Sequence, residues 1–313
     1  MPVKKDLLSV ADLSPSETLG IIRRAKEMKK QGSDLPLRNK NVALIFDKPS
    51  LRTRTSFQVG IQQLGGYSIY LGQDEVGLGT REPVADIARV LSGYVDCVVA
   101  RVCSHQYLVD LAQYASVPVI NALSDREHPC QALADLLTID EHLGKLAGVK
   151  VAFIGDGNNV ARSLCLALAA VGATFAIAAP EGYNLDSDTL KAARRLARNP
   201  AGRLPGATPP EVLALTDPAE AAKDADVVYT DVWVSMGQEE DAVRRRRDFK
   251  GYTVDPAFMS HAKPGAIFMH DMPAHYGEEV APGMLEHPQS VVYGQAHNRL
   301  HAQKALLEFI LKS

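Results

Sequence analysis

A chain of 313 residues and 33.9 kDa is long enough for about two domains of roughly 150 residues, each with its own core. Its 34 basic and 37 acidic side chains leave a net charge of −3 and a pI near 6.3, which excludes a surface given over to nucleic-acid phosphates. With 46% apolar and 23% charged residues, the composition is that of a folded enzyme or binding protein and not of a disordered chain.

Cys97, Cys103, Cys130 and Cys165 form no CxxC pair and no zinc spacing, so neither a disulfide framework nor a metal cage is expected. No apolar run reaches the roughly 18 residues of a membrane span. The opening Met1-Pro2-Val3-Lys4-Lys5-Asp6 leads directly toward a helix start, which predicts no signal peptide and a cytoplasmic protein.

In chain order, Ser14-Pro15-Ser16-Glu17 is a capping box with proline at the first helical position, and Leu19, Ile21, Ile22, Ala25 and Met28 carry the helix to about Lys30. Asn41–Phe46 reads as a buried strand. A helix is predicted over Thr53–Leu64, stopped by Gly65-Gly66, then a strand over Tyr67–Leu71 and a helix over Val84–Ser92. Strands follow at Val95–Val102 and Val117–Ile120, and a helix within Gln131–His142. The pattern restarts near position 150 with a strand at Val149–Ile154, a helix at Val160–Val171 and a strand at Thr174–Ala179. Further strands are expected at Asp226–Thr230 and Ala266–His270, a surface loop at Pro200–Pro210, and a last helix at Leu300–Leu311. Buried strands alternating with helices predict two α/β domains, each a parallel sheet with helices on both faces.

Ser50-Leu51-Arg52-Thr53-Arg54-Thr55-Ser56 lies between a strand and a helix. A helix N-terminus offers unpaired N–H groups and partial positive charge, and hydroxyls and guanidiniums add to it. Both an anion site and a capped helix with exposed arginines satisfy this stretch, but no P-loop lysine pattern is present. His128-Pro129-Cys130-Gln131 sits at another strand-to-helix turn, where histidine and glutamine suit a carbonyl and an amide. Gly155-Asp156-Gly157-Asn158-Asn159 imitates a dinucleotide fingerprint, with Glu181 downstream, but Val160 stands where the third glycine belongs. Asp231-Val232-Trp233-Val234-Ser235-Met236-Gly237 and His270-Asp271-Met272-Pro273 each follow a strand. Asp231 there suits an ammonium group and Asp271 an anion or base. Glu239–Asp248 reads as a solvated helix face. Arg299 is expected near the start of the last helix.

Taken together and in order, these motifs resemble the aspartate and ornithine carbamoyltransferase family. Ser50 to Arg54, Arg101 and His128 to Gln131 resemble its carbamoyl phosphate half. Asp231 through Gly237, with its Ser-Met-Gly, resembles the ornithine branch, and Asn159, His270–Pro273 and Asn298-Arg299-Leu300 fall in the expected order. The resemblance runs from about Leu7 to Leu311. It implies a carbamoyl phosphate domain over residues 1–135, an ornithine domain over 136–290, and a helix over 291–313 returning to the first domain. It also implies trimers or multiples of them, no metal and no organic cofactor, and carbamoyl transfer to the side-chain amine of L-ornithine, giving L-citrulline and phosphate. By the same resemblance Ser50, Leu51 (through its backbone), Arg52, Thr53, Arg101, His128, Gln131, Asp271, Met272 and Arg299 bind carbamoyl phosphate. Asn159, Asp231, Ser235 and Met236 bind ornithine, with Arg101, His128 and Asp271 in the catalytic roles.

The sequence departs from the family pattern at several positions. Leu51 replaces a common threonine, Gly77 a glutamine that some members supply from a neighbouring subunit, His297 a usual glutamate, and Tyr276 a common arginine. Ornithine enzymes usually read His-Cys-Leu-Pro where this chain reads His270-Asp271-Met272-Pro273. An aspartate there can accept the amine's proton, but it also holds an ammonium charged, so an altered pH dependence is expected. The competing readings are a carbamoyltransferase for putrescine or an acylated ornithine, a weakly active regulatory homologue, and a nicotinamide dehydrogenase.

Overall fold

The computed structural model describes residues 4–32, 34–198, 209–235 and 237–312. The chain divides into two compact units, Met1–Leu137 with His297–Ser313, and Thr138–Ala296. The last stretch of the C-terminal helix, from His297, thus belongs to the first unit.

The first unit holds a four-stranded parallel sheet of β1 (Asn41–Phe46), β2 (Tyr67–Gly72), β3 (Cys97–Arg101) and β4 (Val119–Leu123), in the order β2-β1-β3-β4. β1 and β3 are buried almost throughout because helices cover both faces, which is why they read as unbroken apolar runs. Edge strand β2 instead exposes Tyr67 and Ile69. From β1 the chain crosses to β2 on one side, and from β3 to β4 on the other. The carboxyl ends of β1 and β3 therefore flank a crevice that no crossover covers. Between Ala100 and Arg101 the pairing with β4 slips by a residue: Ala100 faces Asn121 but Arg101 faces Leu123. Such a bulge re-aims the side chain that follows it, here the arginine at the strand's end. On the far edge of the sheet, Leu7 pairs with β4, its N–H donating to Val119 O and its carbonyl accepting from Asn121 N.

The second unit holds a five-stranded parallel sheet of β5 (Lys150–Ile154), β6 (Thr174–Ala178), β7 (Val212–Leu215), β8 (Val227–Thr230) and β9 (Ile267–His270), in the order β7-β6-β5-β8-β9. Its core packs Ile154, Val228, Trp233, Phe249 and Phe268. The switch point falls between β5 and β8, so the loops after Ile154 and Thr230 lie side by side.

Several elements differ from the sequence expectation. The helix after β1 spans Leu51–Gln63 and starts two residues early, because Ser50 rather than a later residue caps it. Helices His105–Tyr114 and Ser187–Leu196 and strand β7 were not predicted. The first buries only Leu108 and Leu111, and β7 is a short, half-exposed edge. The last helix spans Val292–Lys312, so Arg299 lies in its interior and not near its start. Its first turns hold Val292, Tyr293 and Gly294, poor helix formers that hide the start. Of the surface loop expected at Pro200–Pro210, residues 200–208 lie outside the described residues.

Candidate active site

In the first unit the Ser50 hydroxyl caps the helix Leu51–Gln63, accepting from Thr53 N at 3.3 Å. Leu51 points into solvent at 77% exposure, so only its backbone is available to a ligand. Thr53 is buried, and its Oγ1 accepts from Arg101 Nη1 at 3.3 Å and Arg299 Nη2 at 3.1 Å. One hydroxyl thus gathers two buried guanidiniums, from the end of β3 and from the helix Val292–Lys312. Arg299 Nη1 also donates to Gln131 Oε1 at 2.6 Å. Lys29 Nζ donates to the Oδ1 of the neighbouring Asn298 at 2.8 Å. Arg54, the other guanidinium of the stretch, stacks 3.6 Å over the Tyr70 ring and donates to Gln58, so it serves packing.

His128 lies buried at the mouth of the helix Pro129–Leu143. Burial, then the guanidiniums of Arg299, Arg101 and Arg52, hold it well below the usual imidazole range, and it is neutral at physiological pH. Arg299, Arg101 and Arg52 are thus all near enough for their charge to act on this imidazole. Cys130 is buried and pushed up to about 12, a neutral thiol whose Sγ donates to Asn121 O.

In the second unit, Asn158 caps the helix Asn159–Ala170. Its Oδ1 accepts from Val160 N and Ala161 N, and its Nδ2 donates to Asp231 Oδ2 at 2.7 Å. The glycine-rich loop is explained without a dinucleotide. A Cβ on Gly157 would meet the Asn184 carbonyl carbon and Leu185 N at 2.5 Å, so glycine is there for chain packing. Asp156 forms a buried ion pair with Arg245, 3.0 Å apart. Burial raises its carboxyl to about 6 against the lowering pull of Arg245.

Arg245 corrects the sequence reading of Glu239–Asp248 as a solvated face. It is 8% exposed, sits in the helix Ala242–Asp248, and donates from Nη1 to Trp233 O at 2.9 Å. It ties the loop after β5 to the loop after β8. Only the unevenness of the four-arginine run, which cannot all face solvent at helical period, hints at this in the sequence.

His270, at the end of β9, is fully buried. Its Nδ1 accepts from Met272 N at 2.8 Å and its Nε2 donates to the buried Glu279 at 3.2 Å, which assigns the tautomer. Its backbone N–H donates to Gln295 Oε1. Met272 turns with φ 60°, and its peptide to Pro273 is cis. Asp231, His270 and Asp271 bring one ligand atom each within 4.8 Å of one another. Both imidazole nitrogens already serve Met272 and Glu279, so the set fits an ammonium between two carboxylates better than a metal ion. Ser235 is half-buried with its N–H on Gln238 Oε1. Met236 lies outside the described residues. Neither Arg245, Glu279 nor Gln295 was singled out from the sequence.

Two anion- and amine-suited clusters at the carboxyl ends of two parallel sheets are the layout of a group-transfer enzyme. Family models agree. The carbamoyl-P binding domain of aspartate/ornithine carbamoyltransferases matches residues 5–141 and the Asp/Orn binding domain residues 147–310, and the chain belongs to this family. It is 49% identical over 311 residues to the ornithine carbamoyltransferase of Thermococcus kodakarensis, covering 98% of this chain and 96% of that one. It is 48% identical over 307 residues to that of Bacillus subtilis, covering 98% and 94%. The solved ornithine carbamoyltransferase of Pyrococcus furiosus superposes with a TM-score of 0.91 at 48% identity, covering 97% of this chain and 96% of that one.

Proposed function

We propose that this protein transfers the carbamoyl group of carbamoyl phosphate to the side-chain amine of L-ornithine, releasing L-citrulline and phosphate. The convergence of Arg101 and Arg299 on Thr53, with neutral His128 and Gln131 beside them, carries the reading. In it, Ser50, Leu51 N–H, Arg52, Thr53, Arg101 and Arg299 hold the phosphate, and His128 and Gln131 hold the carbamoyl oxygen and amide. Asn159, Asp231, Ser235 and Met236 hold ornithine, and Asp271 and Met272 stand at the reacting end. Residues 1–135 form the carbamoyl phosphate domain and 136–290 the ornithine domain, with 291–313 returning to the first.

The neutral amine attacks the carbamoyl carbon, the carbonyl oxygen becomes an oxyanion, the C–O bond to phosphate breaks, and the nitrogen loses its proton. Fixed donors around the oxyanion and the departing phosphate supply the main stabilisation, and no covalent enzyme intermediate is needed. A side-chain amine with a solution pKa near ~10.4 arrives charged, so its deprotonation is part of the reaction's pH dependence. Asp271 is the group that shapes it.

The same reading makes the enzyme a cytoplasmic homotrimer or multiple of trimers working without metal or cofactor. The exposed Tyr67 and Ile69 on edge strand β2 are the kind of surface a second copy covers. The Pyrococcus furiosus relative is named anabolic, which favours the citrulline-forming direction of arginine biosynthesis. Incubation with carbamoyl phosphate and L-ornithine tests the reaction. Equimolar citrulline and phosphate are expected, and phosphate release without citrulline would contradict the reading.

A further inference from the structure

Gln131 is held from two sides. Its Oε1 accepts from Arg299 Nη1 at 2.6 Å, and its Nε2 donates to Asp135 Oδ1 at 2.8 Å. The two residues lie one turn apart on the helix Pro129–Leu143, Gln131 at 1% exposure and Asp135 at 0%. A carboxylate only accepts and a guanidinium only donates, so a single sense of the amide satisfies both. Its carbonyl oxygen faces Arg299, one of the two guanidiniums gathered on Thr53; its NH2 faces Asp135.

We propose that Asp135 is a positioning residue that sets the acyl-group specificity of the site, by fixing Gln131 so that a carbonyl oxygen and not an NH2 meets the transferred group. An amide oxygen has two lone pairs, and Arg299 occupies one. The other accepts from a donor, which the carbamoyl NH2 provides. Acetyl phosphate has the same phosphate and carbonyl but a methyl in that place. It leaves the second lone pair of the buried oxygen without a donor, a discrimination of roughly 10- to 100-fold. In Asp135→Asn the side chain both donates and accepts, so only Arg299 still selects the sense of the Gln131 amide, and whatever fraction reverses sets its NH2 against the donor of the substrate.

The inference rests on the carbamoyl phosphate reading, and the two fail separately. A wild-type enzyme that forms no citrulline sinks that reading, whereas ligand discrimination is measured by calorimetry and needs no turnover. Wild-type protein is expected to bind carbamoyl phosphate at least tenfold tighter than acetyl phosphate; equal affinities overturn the inference with no variant made. In Asp135→Asn, carbamoyl phosphate is expected to weaken about tenfold or more, while acetyl phosphate and inorganic phosphate stay within about twofold. Parallel weakening of all three ligands, the result of a merely structural role, or an unchanged affinity for carbamoyl phosphate, overturns it.

Discussion

The two units place their chemistry in the same way and fill it differently. In each, loops from adjacent strands meet where the sheet's crossovers diverge, after β1 and β3 in the first and after β5 and β8 in the second. At the first crevice the side chains are bound to one another: Arg101 and Arg299 to Thr53, Arg299 to Gln131, and Gln131 to Asp135. At the second, carboxylates and turns dominate, and the bracing comes from behind, through Arg245 on Asp156 and Trp233 O and through His270 on Glu279. A dianionic leaving group rewards cations fixed in advance, since their reorganisation would otherwise be part of the barrier. An amine that must arrive, lose a proton and depart as product is served by acceptors on loops held at their roots.

On that contrast, Arg101→Met does the most harm to activity. Losing one oriented donor at a developing charge costs about 2.7–4 kcal/mol, or about 10²–10³ in kcat/KM for carbamoyl phosphate, and a loss below tenfold in steady-state kinetics would contradict it. Arg245→Met strikes the bracing of the second unit. Removing one partner of a buried pair costs about 3–5 kcal/mol, to be read in denaturant unfolding, with a raised KM for ornithine and little change in that for carbamoyl phosphate.

Asp271→Cys tests the amine end itself. A carboxylate beside an ammonium raises the amine's pKa, so its removal is expected to move the rising limb of the pH–rate profile toward acid by about one unit. An unmoved limb would sink the role given to Asp271.

His128 probes the cationic pocket by linkage. Its folded pKa is depressed below the ordinary 6.5, so the unfolded chain takes up the proton first. This residue's contribution to stability is therefore present above pH 6.5 and is lost as the pH falls through 6.5 toward the folded value. His128→Asn should flatten that part of the stability curve, and an imidazole NMR resonance titrating normally would contradict the assignment. The smallest effect is expected from Leu51→Thr. The side chain is exposed, so stability and kcat should move by less than about 0.5 kcal/mol and threefold.

The buried strands were legible because both faces of a parallel sheet are covered, and β1 matches its expected range residue for residue. The short edge strand β7 and the helix His105–Tyr114, with two buried residues, carry too little apolar periodicity to be read. The same split holds for the candidate site. Ser50, Thr53, His128 and Asp231 stand at strand ends, where the pattern itself draws the eye. Asp135 and Glu279 lie one helical turn or one loop away and act through a hydrogen bond to another side chain, while Arg245 pairs with a residue distant in sequence and is masked by like neighbours. A solvated arginine run and one with a single buried member have the same composition; only the partner, Asp156, tells them apart.

The most direct test of the central claim is citrulline-type product formation from carbamoyl phosphate with L-ornithine, putrescine or N-acetyl-L-ornithine offered separately across pH 6 to about 10, the solution pKa of such an amine. Turnover of L-ornithine alone, with a rising limb that moves in Asp271→Cys, is the predicted result. Preference for either of the other amines would contradict the account of the second unit while leaving the carbamoyl phosphate pocket of the first in place.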